Sequence, residues 1–275
     1  MIRQASEELS SDAEKARVFE EFMTHYWRDA GLREGLTLSV HTVHSDGERA
    51  RLLMHLLEQP DTSTKDLEPI IRLIQRISSD GEKSRLLQRV SAQYGSADPV
   101  RMAFFQALNS MHSDGDRHET LTAFLKNTAI VREDLKEAME SIAQLSSDGE
   151  KASLLVEMTQ LYQEDGAVRT AFFRAADTLR SDGERRRVLS ALLARKPAVE
   201  TLQSILQATR EISSDGEKAA LLVEMANECL NSPALLVSFL QLSNSLSSDG
   251  EYRRVMSTVF ENTEFLMKVA LQKGS

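Results

Sequence analysis

Ser45-Asp46-Gly47-Glu48 returns as Ser79-Asp80-Gly81-Glu82, Ser147-Asp148-Gly149-Glu150, Ser181-Asp182-Gly183-Glu184, Ser214-Asp215-Gly216-Glu217 and Ser248-Asp249-Gly250-Glu251. Two variants, Ser11-Asp12-Ala13-Glu14 and Ser113-Asp114-Gly115-Asp116, fill the remaining places in the series. Measured between aspartates, every step is 34 residues except that from Asp182 to Asp215, which is 33. A fixed period of this size marks a repeat array in which each unit is one supersecondary element.

Outward from Ser79, counted as position 1, Leu86, Leu87, Val90 and Tyr94 fall at positions 8, 9, 12 and 16, one face of a 3.6-residue period. Gly95-Ser96-Ala97-Asp98-Pro99 then breaks the pattern, with a proline suited to a helix start. Val100, Phe104, Phe105, Leu108 and Met111 form a second apolar stripe. Equivalent places hold Leu52, Leu53, Leu56, Ile70, Ile71, Ile74 and Ile77 in the repeat from Ser45. In the repeat from Ser147 they hold Leu154, Leu155, Met158, Tyr162, Phe172, Phe173, Ala176 and Leu179. Neither stripe can be buried alone, so hairpins must stack. The expectation is an all-α fold: an α-solenoid of about eight 34-residue helix-turn-helix repeats starting at 11, 45, 79, 113, 147, 181, 214 and 248. They form a single repeat domain over 1–275, a right-handed or gently curved rod whose two ends read as cuts.

A 68-residue super-period lies beneath the first. Odd units carry Tyr26, Tyr94, Tyr162 or Cys229 at position 16, whereas even units carry Leu57, Leu125, Leu193 or Phe260 at position 13. Odd units are therefore expected to have the longer first helix, and the odd–even turns and variable outer faces to hold the specificity.

Ser-x-x-Glu before an apolar run is a capping box, in which serine accepts from the third helical amide and glutamate reaches back to the serine amide. Each full Ser-Asp-Gly-Glu is accordingly read as a helix N-cap, with its acids at the positive end of the helix dipole. The base that follows (Lys15, Arg49, Lys83, Arg117, Lys151, Arg185, Lys218) stands three residues after the aspartate, the spacing of a surface ion pair. Glycine at the second helical position implies close approach by a neighbour, either the end of a packed helix or a ligand met at eight equivalent sites. Calcium is disfavoured because no unit has the twelve-residue alternation of an EF-hand. Phosphate is disfavoured because acids already neutralise each helix start.

No catalytic, metal or cofactor site emerges. His41 and His44 share a helix without an evident third ligand, and His118-Glu119 is followed by Thr122 where a zincin needs histidine. The lone cysteine, Cys229, and the pairs Phe104-Phe105 and Phe172-Phe173 read as core. The net charge of −9 argues against nucleic acid. No apolar run reaches membrane-spanning length, and the N-terminal residues lack a signal-peptide core. A soluble segment follows, with the cytoplasm and the periplasm both open.

Ile77-Ser78-Ser79-Asp80-Gly81-Glu82-Lys83 and Ile212-Ser213-Ser214-Asp215-Gly216-Glu217-Lys218 resemble a bacterial helical repeat with the signature Ile-Ser-Ser-Asp-Tyr-Glu-Lys. That repeat occurs in the C-terminal regions of BlaR1-type, M56-family peptidase and sensor-like membrane proteins; glycine here replaces its tyrosine. The resemblance implies a sensing or protein-binding appendage and transfers no catalytic residue. The general architecture is tetratricopeptide- or HEAT-like. The leading expectation is a non-enzymatic scaffold or sensor module that binds a protein or peptide along an extended surface. A small-molecule or cell-wall-fragment sensor and a structural spacer remain the alternatives.

Overall fold

The computed structural model describes residues 9–273, with the side chains of Ala30 and of residues 264–273 left out of that description. The described residues form fifteen α-helices and one short 3-10 turn, with no strand among them. The chain is an α-solenoid. Packing divides it into two compact units, Met1–Ser141 and Ile142–Ser275.

The first unit holds α1 (Asp12–Tyr26), α2 (Ala30–Ser39), α3 (Asp46–Glu58), α4 (Thr64–Ile74), α5 (Asp80–Ser91), α6 (Asp98–Asn109) and α7 (Asp114–Leu125). In sequence, α8 (Arg132–Ala143) spans the division. The second unit holds α9 (Asp148–Met158), α10 (Gly166–Asp177), α11 (Asp182–Leu193), α12 (Val199–Arg210), α13 (Asp215–Leu230), α14 (Pro233–Ser243) and α15 (Asp249–Lys273). Within each unit first helices stack on first helices, α1–α3–α5–α7 and α9–α11–α13–α15, and second helices on second, α2–α4–α6 and α10–α12–α14. The periodic leucines and phenylalanines lie between these two layers; Leu52, Leu53, Leu86, Leu87, Phe104, Leu154, Leu155, Phe172, Leu221 and Leu222 are fully buried. Each such side chain contributes about 2 kcal/mol of transfer free energy.

The repeated tetrapeptide acts differently from a closed capping box. Ser45, Ser79, Ser113, Ser147, Ser181 and Ser214 sit in extended backbone at the helix starts, and their hydroxyls accept from the third helical amide. Those bonds are long, 3.4 Å at Ser79 and 3.5 Å at Ser45, and therefore weak. The reciprocal bond from glutamate to the serine amide is replaced. That amide donates to the aspartate of the preceding repeat: Ser113 to Asp80 at 2.9 Å, Ser181 to Asp148 at 2.7 Å, Ser248 to Asp215 at 2.8 Å. The amide one residue earlier joins it, as His112 does to Asp80 at 2.7 Å and Arg180 to Asp148 at 2.8 Å. Asp12, Asp46, Asp80, Asp148, Asp182 and Asp215 are thus staples between successive hairpins within a unit. Glu48, Glu82, Glu184 and Glu251 are drawn outward to arginines three residues on, Glu48 to Arg51 at 2.7 Å and Glu82 to Arg85 at 2.9 Å, while Glu217 pairs with Arg186 of the preceding repeat.

The base at position 5 keeps the expected ion pair with the aspartate three residues before it, Arg49 to Asp46 at 3.3 Å, Lys83 to Asp80 at 3.8 Å and Lys15 to Asp12 at 3.9 Å, but not at the surface. Lys15, Lys83, Lys151 and Lys218 are buried. Lys83 Nζ donates to the Ser110 carbonyl at 3.3 Å, Lys15 to Thr42 at 3.2 Å and Lys151 to Thr178 at 3.2 Å. Arg185 donates to Leu179 at 2.6 Å and Glu211 at 3.0 Å. Apart from Leu179, which ends the preceding repeat, these carbonyls close the second helix of the same repeat, where unpaired acceptors and the negative dipole end attract a cation.

The glycine expectation also fails. A Cβ on Gly47 would meet nothing within 4 Å, and on Gly81 only Asp116 Oδ1 at 3.9 Å. Ala13 already occupies this place in the first repeat.

Odd first helices are not uniformly longer: α5 has 12 residues and α9 has 11, against 13 in α3. Tyr94 and Tyr162 sit in the turns that follow α5 and α9, their rings pulled inward while the backbone has left the helix. Nor does the last repeat form a hairpin among the described residues. The stretch Asn262-Thr263 in α15 carries neither proline nor glycine, and the helix runs on to Lys273.

Candidate functional site

Two sets of residues distinguish one repeat from another: polar clasps at the odd–even turns, and open grooves between successive second helices.

In the first unit Asp134, at the third position of α8, is fully buried. It accepts from Tyr94 Oη at 2.7 Å, Ser96 Oγ at 2.7 Å and the Val131 amide at 2.9 Å, with Arg101 Nη1 at 3.6 Å. Burial, and then the bond to Asp134, raise the Tyr94 phenol far above its ordinary range. The Tyr94 ring packs on Phe104 and Phe124, with centroids 5.6 and 5.0 Å away. Earlier in the same unit Asp66 accepts from Arg33 Nη1 at 2.9 Å and from the Ser63 amide at 2.8 Å. Burial works to raise the Asp66 pKa, but the Ser63 and Arg33 bonds outweigh it and the carboxyl is held below the usual range. In the second unit the place of Asp134 is taken by Thr201, also fully buried. Its hydroxyl lies 3.0 Å from Tyr162 Oη and donates to Glu164 Oε2 at 2.7 Å.

The grooves lie between second helices. In the second unit a groove of about 950 Å³ runs between α10 and α12, walled by Arg169, Phe173, Arg174, Glu200, Gln203 and Gln207. Asp177 and Glu211 also line it. Burial, together with the Glu211 charge, raises the Asp177 carboxyl above its ordinary range despite Arg185. In the first unit a smaller, more apolar groove of about 610 Å³ lies between α2 and α4, lined by Gly35, Leu38, Pro69, Leu73, Arg72 and Arg76. Leu38 is 56% exposed at its mouth. Met102 on α6 and Val237 on α14, both at position 24 of odd repeats, are 56% and 61% exposed.

The Phe pairs divide. Phe104, Phe105 and Phe172 are buried as expected, but Phe173 is half-buried and faces the α10–α12 groove. Phe105 is covered by Phe124, 5.3 Å away, where the second unit has the smaller Leu192. Met102, Val237 and Leu38 escaped the sequence reading because they stand off the periodic stripe. Their only signal was an apolar residue on a face expected to be polar.

The Ser-Asp-Gly-Glu residues assemble away from the clasps, where first helices begin and second helices end, and Arg185, next after Glu184, lines one end of the α10–α12 groove. His41 and His44 are exposed, and among the described residues no three His, Cys, Asp or Glu side chains converge as a metal set. Cys229 is buried, which pushes its thiol up to about 12. No helix among the described residues is long and apolar enough to cross a membrane.

No protein-family model matches the chain, and no curated protein matches it. A solved structure described as "Computational Design of Self-Assembling Cyclic Protein Homooligomers" aligns over 96% of this chain and 87% of its own at 12% identity. Its TM-score of 0.17 is too low to carry an argument.

Proposed function

We propose that this chain is a non-enzymatic scaffold that binds a protein or peptide on its second-helix faces. One observation carries the reading: Leu38, Met102, Val237 and the half-buried Phe173 are apolar groups left accessible on second helices, Leu38 and Phe173 lining the two grooves. Exposed apolar side chains rimmed by charge are the usual composition of a docking surface. Arg72 and Arg76 beside Leu38, and Arg169 and Arg174 beside Phe173, supply the rim. The resemblance to repeats in sensor-like membrane proteins agrees with an appendage of this kind.

Selection of a displayed peptide library against the full chain tests the proposal. Enriched peptides should lose binding to Leu38→Asp or Phe173→Asp variants that keep their helical circular dichroism. Selection that yields nothing, or peptides indifferent to both substitutions, would overturn it. The second reading, a small-molecule sensor, is favoured by the size of the α10–α12 groove, which falls in the range of ligand pockets. It expects a thermal shift with small polar compounds that Phe173→Asp removes.

A further inference from the structure

Given the scaffold reading, we propose that the α10–α12 groove takes an extended segment of a partner protein that carries one basic side chain. That base sits over the ends of the two helices, and an apolar side chain of the segment lies beside Phe173.

The groove has a counterpart in the first unit. Each lies between the second helix of an odd repeat and that of the even repeat after it, α10 with α12 and α2 with α4. Their walls end on matching residues of different charge. Four residues before the next serine, Asp177 lines one groove and His41 the other. Three residues before it, Glu211 lines one and Arg76 the other. The repeats from Ser79 and Ser113 have Asn109 and Gln144 at these two places, so the stacking of hairpins calls for no charge there.

An acid at the C-terminal end of a helix opposes the helix dipole, and here two such ends each bring one. Burial, with the Glu211 charge adding to it, raises the Asp177 carboxyl above its ordinary range even beside Arg185. The Arg185 guanidinium is committed to backbone, donating to the Leu179 carbonyl at 2.6 Å and the Glu211 carbonyl at 3.0 Å. Arg49 does the same in the first unit, to Val43 and Arg76, so this base is common to both grooves and does not answer the acids. A basic side chain from a partner does. Arg174, three residues before Asp177, and Arg169 line the rest of the wall, so a run of bases would meet like charge and a single one fits.

The opposite wall suits an extended main chain. Gln203 and Gln207 line it four residues apart, about 6 Å along α12. That is close to the two-residue step of an extended chain, about 6.6 Å. Neither side-chain amide has a hydrogen-bond partner among the described residues, and each offers a donor and an acceptor to a peptide backbone.

The test uses hexapeptides displayed on phage and selected against the full chain, keeping those whose binding Phe173→Ser removes. These should carry a lysine or arginine within three residues of an apolar side chain. Asp177→Asn with Glu211→Gln should weaken their binding about tenfold. The same pair should melt no lower than wild type, because it takes like charge from two negative helix ends. Asp177→His with Glu211→Arg, which copies the first groove, should prefer the same peptides with glutamate in place of the base. Selection without any Phe173-dependent peptide overturns both this inference and the scaffold reading at this groove. Phe173-dependent peptides that lack a base, that bind the neutral pair unchanged, or that keep their preference for the base in the reversed pair overturn this inference alone.

Discussion

The turn after α5 and the turn after α9 are the same element built with different chemistry. Both follow an odd first helix, and both pack a tyrosine ring against a phenylalanine of the next helix, the buried Tyr94 on Phe104 and the half-buried Tyr162 on Phe172. The first closes on Asp134, a buried carboxylate held by two hydroxyls, an amide and a nearby guanidinium. The second closes on Thr201, a buried hydroxyl, and its carboxylate, Glu164, has moved to the exposed loop. A buried charge is held strongly only while every partner is present, whereas a hydroxyl risks less when one is lost. Ser96 and Glu164 occupy corresponding loop positions, so the swap is coupled: acid in the helix with serine in the loop, or acid in the loop with threonine in the helix.

The largest expected effect comes from breaking the first clasp. Asp134→Ala should destabilise by about 3–5 kcal/mol, because it strands Tyr94, Ser96 and Arg101. Thr201→Ala should lose only about 1–2 kcal/mol. Urea denaturation of both variants checks this, and equal losses would remove the distinction between the turns.

Transplanting the clasp sharpens the comparison. Thr201→Asp alone places a second carboxylate beside Glu164, within the 2.7 Å that now separates their oxygens, and should cost about 2–3 kcal/mol. Adding Glu164→Ser recreates the Ser96–Asp134 arrangement beside Arg169, the counterpart of Arg101, and should recover most of that loss. A double-mutant cycle with no coupling between the two changes would show that the turns do not share one design.

The opposite edge of the hairpins should respond uniformly. Asp80→Ala removes the staple to His112 and Ser113, at about 1–2 kcal/mol. Burial works to raise the Asp80 pKa, but the two amides outweigh it and hold the carboxyl below 3.8. Its contribution is thus fully present above the unfolded value and is lost as pH falls through the lower folded one. The gap in melting temperature between wild type and Asp80→Ala should close in that acidic window. A gap that persists there would mean the charge is not what holds the staple.

The smallest effect has the opposite sign. Gly81→Ala should stabilise, by up to about 1 kcal/mol, since helix propensity improves and only Asp116 Oδ1 at 3.9 Å lies near the new methyl. A fall in melting temperature would restore the close-approach reading of the glycine.

Most of the hairpin architecture was legible in the chain, because a 34-residue period with two 3.6-residue stripes leaves helical hairpins no other way to bury their leucines. Helix starts were legible too, since a serine cap is a local property of four or five residues. The partners of the charged residues beside those caps were not. Asp80 and Lys83 are three residues apart in sequence, yet one reaches Ser113 in the following repeat and the other Ser110 at the end of its own. Stacking decides which unpaired amide or carbonyl comes within reach, and no local pattern encodes that distance. The candidate grooves were illegible for the same reason. Phe105 and Phe173 share a motif, yet Phe105 is buried with Phe124 of the next repeat against it while Phe173 is half-buried, and the corresponding residue there is the smaller Leu192. Sequence determined the repeat, its helices and its core faces, because these depend on periodicity along one chain segment. Tertiary structure alone decided the staples, the clasps and the open surface, because each depends on what another repeat brings to the same point in space.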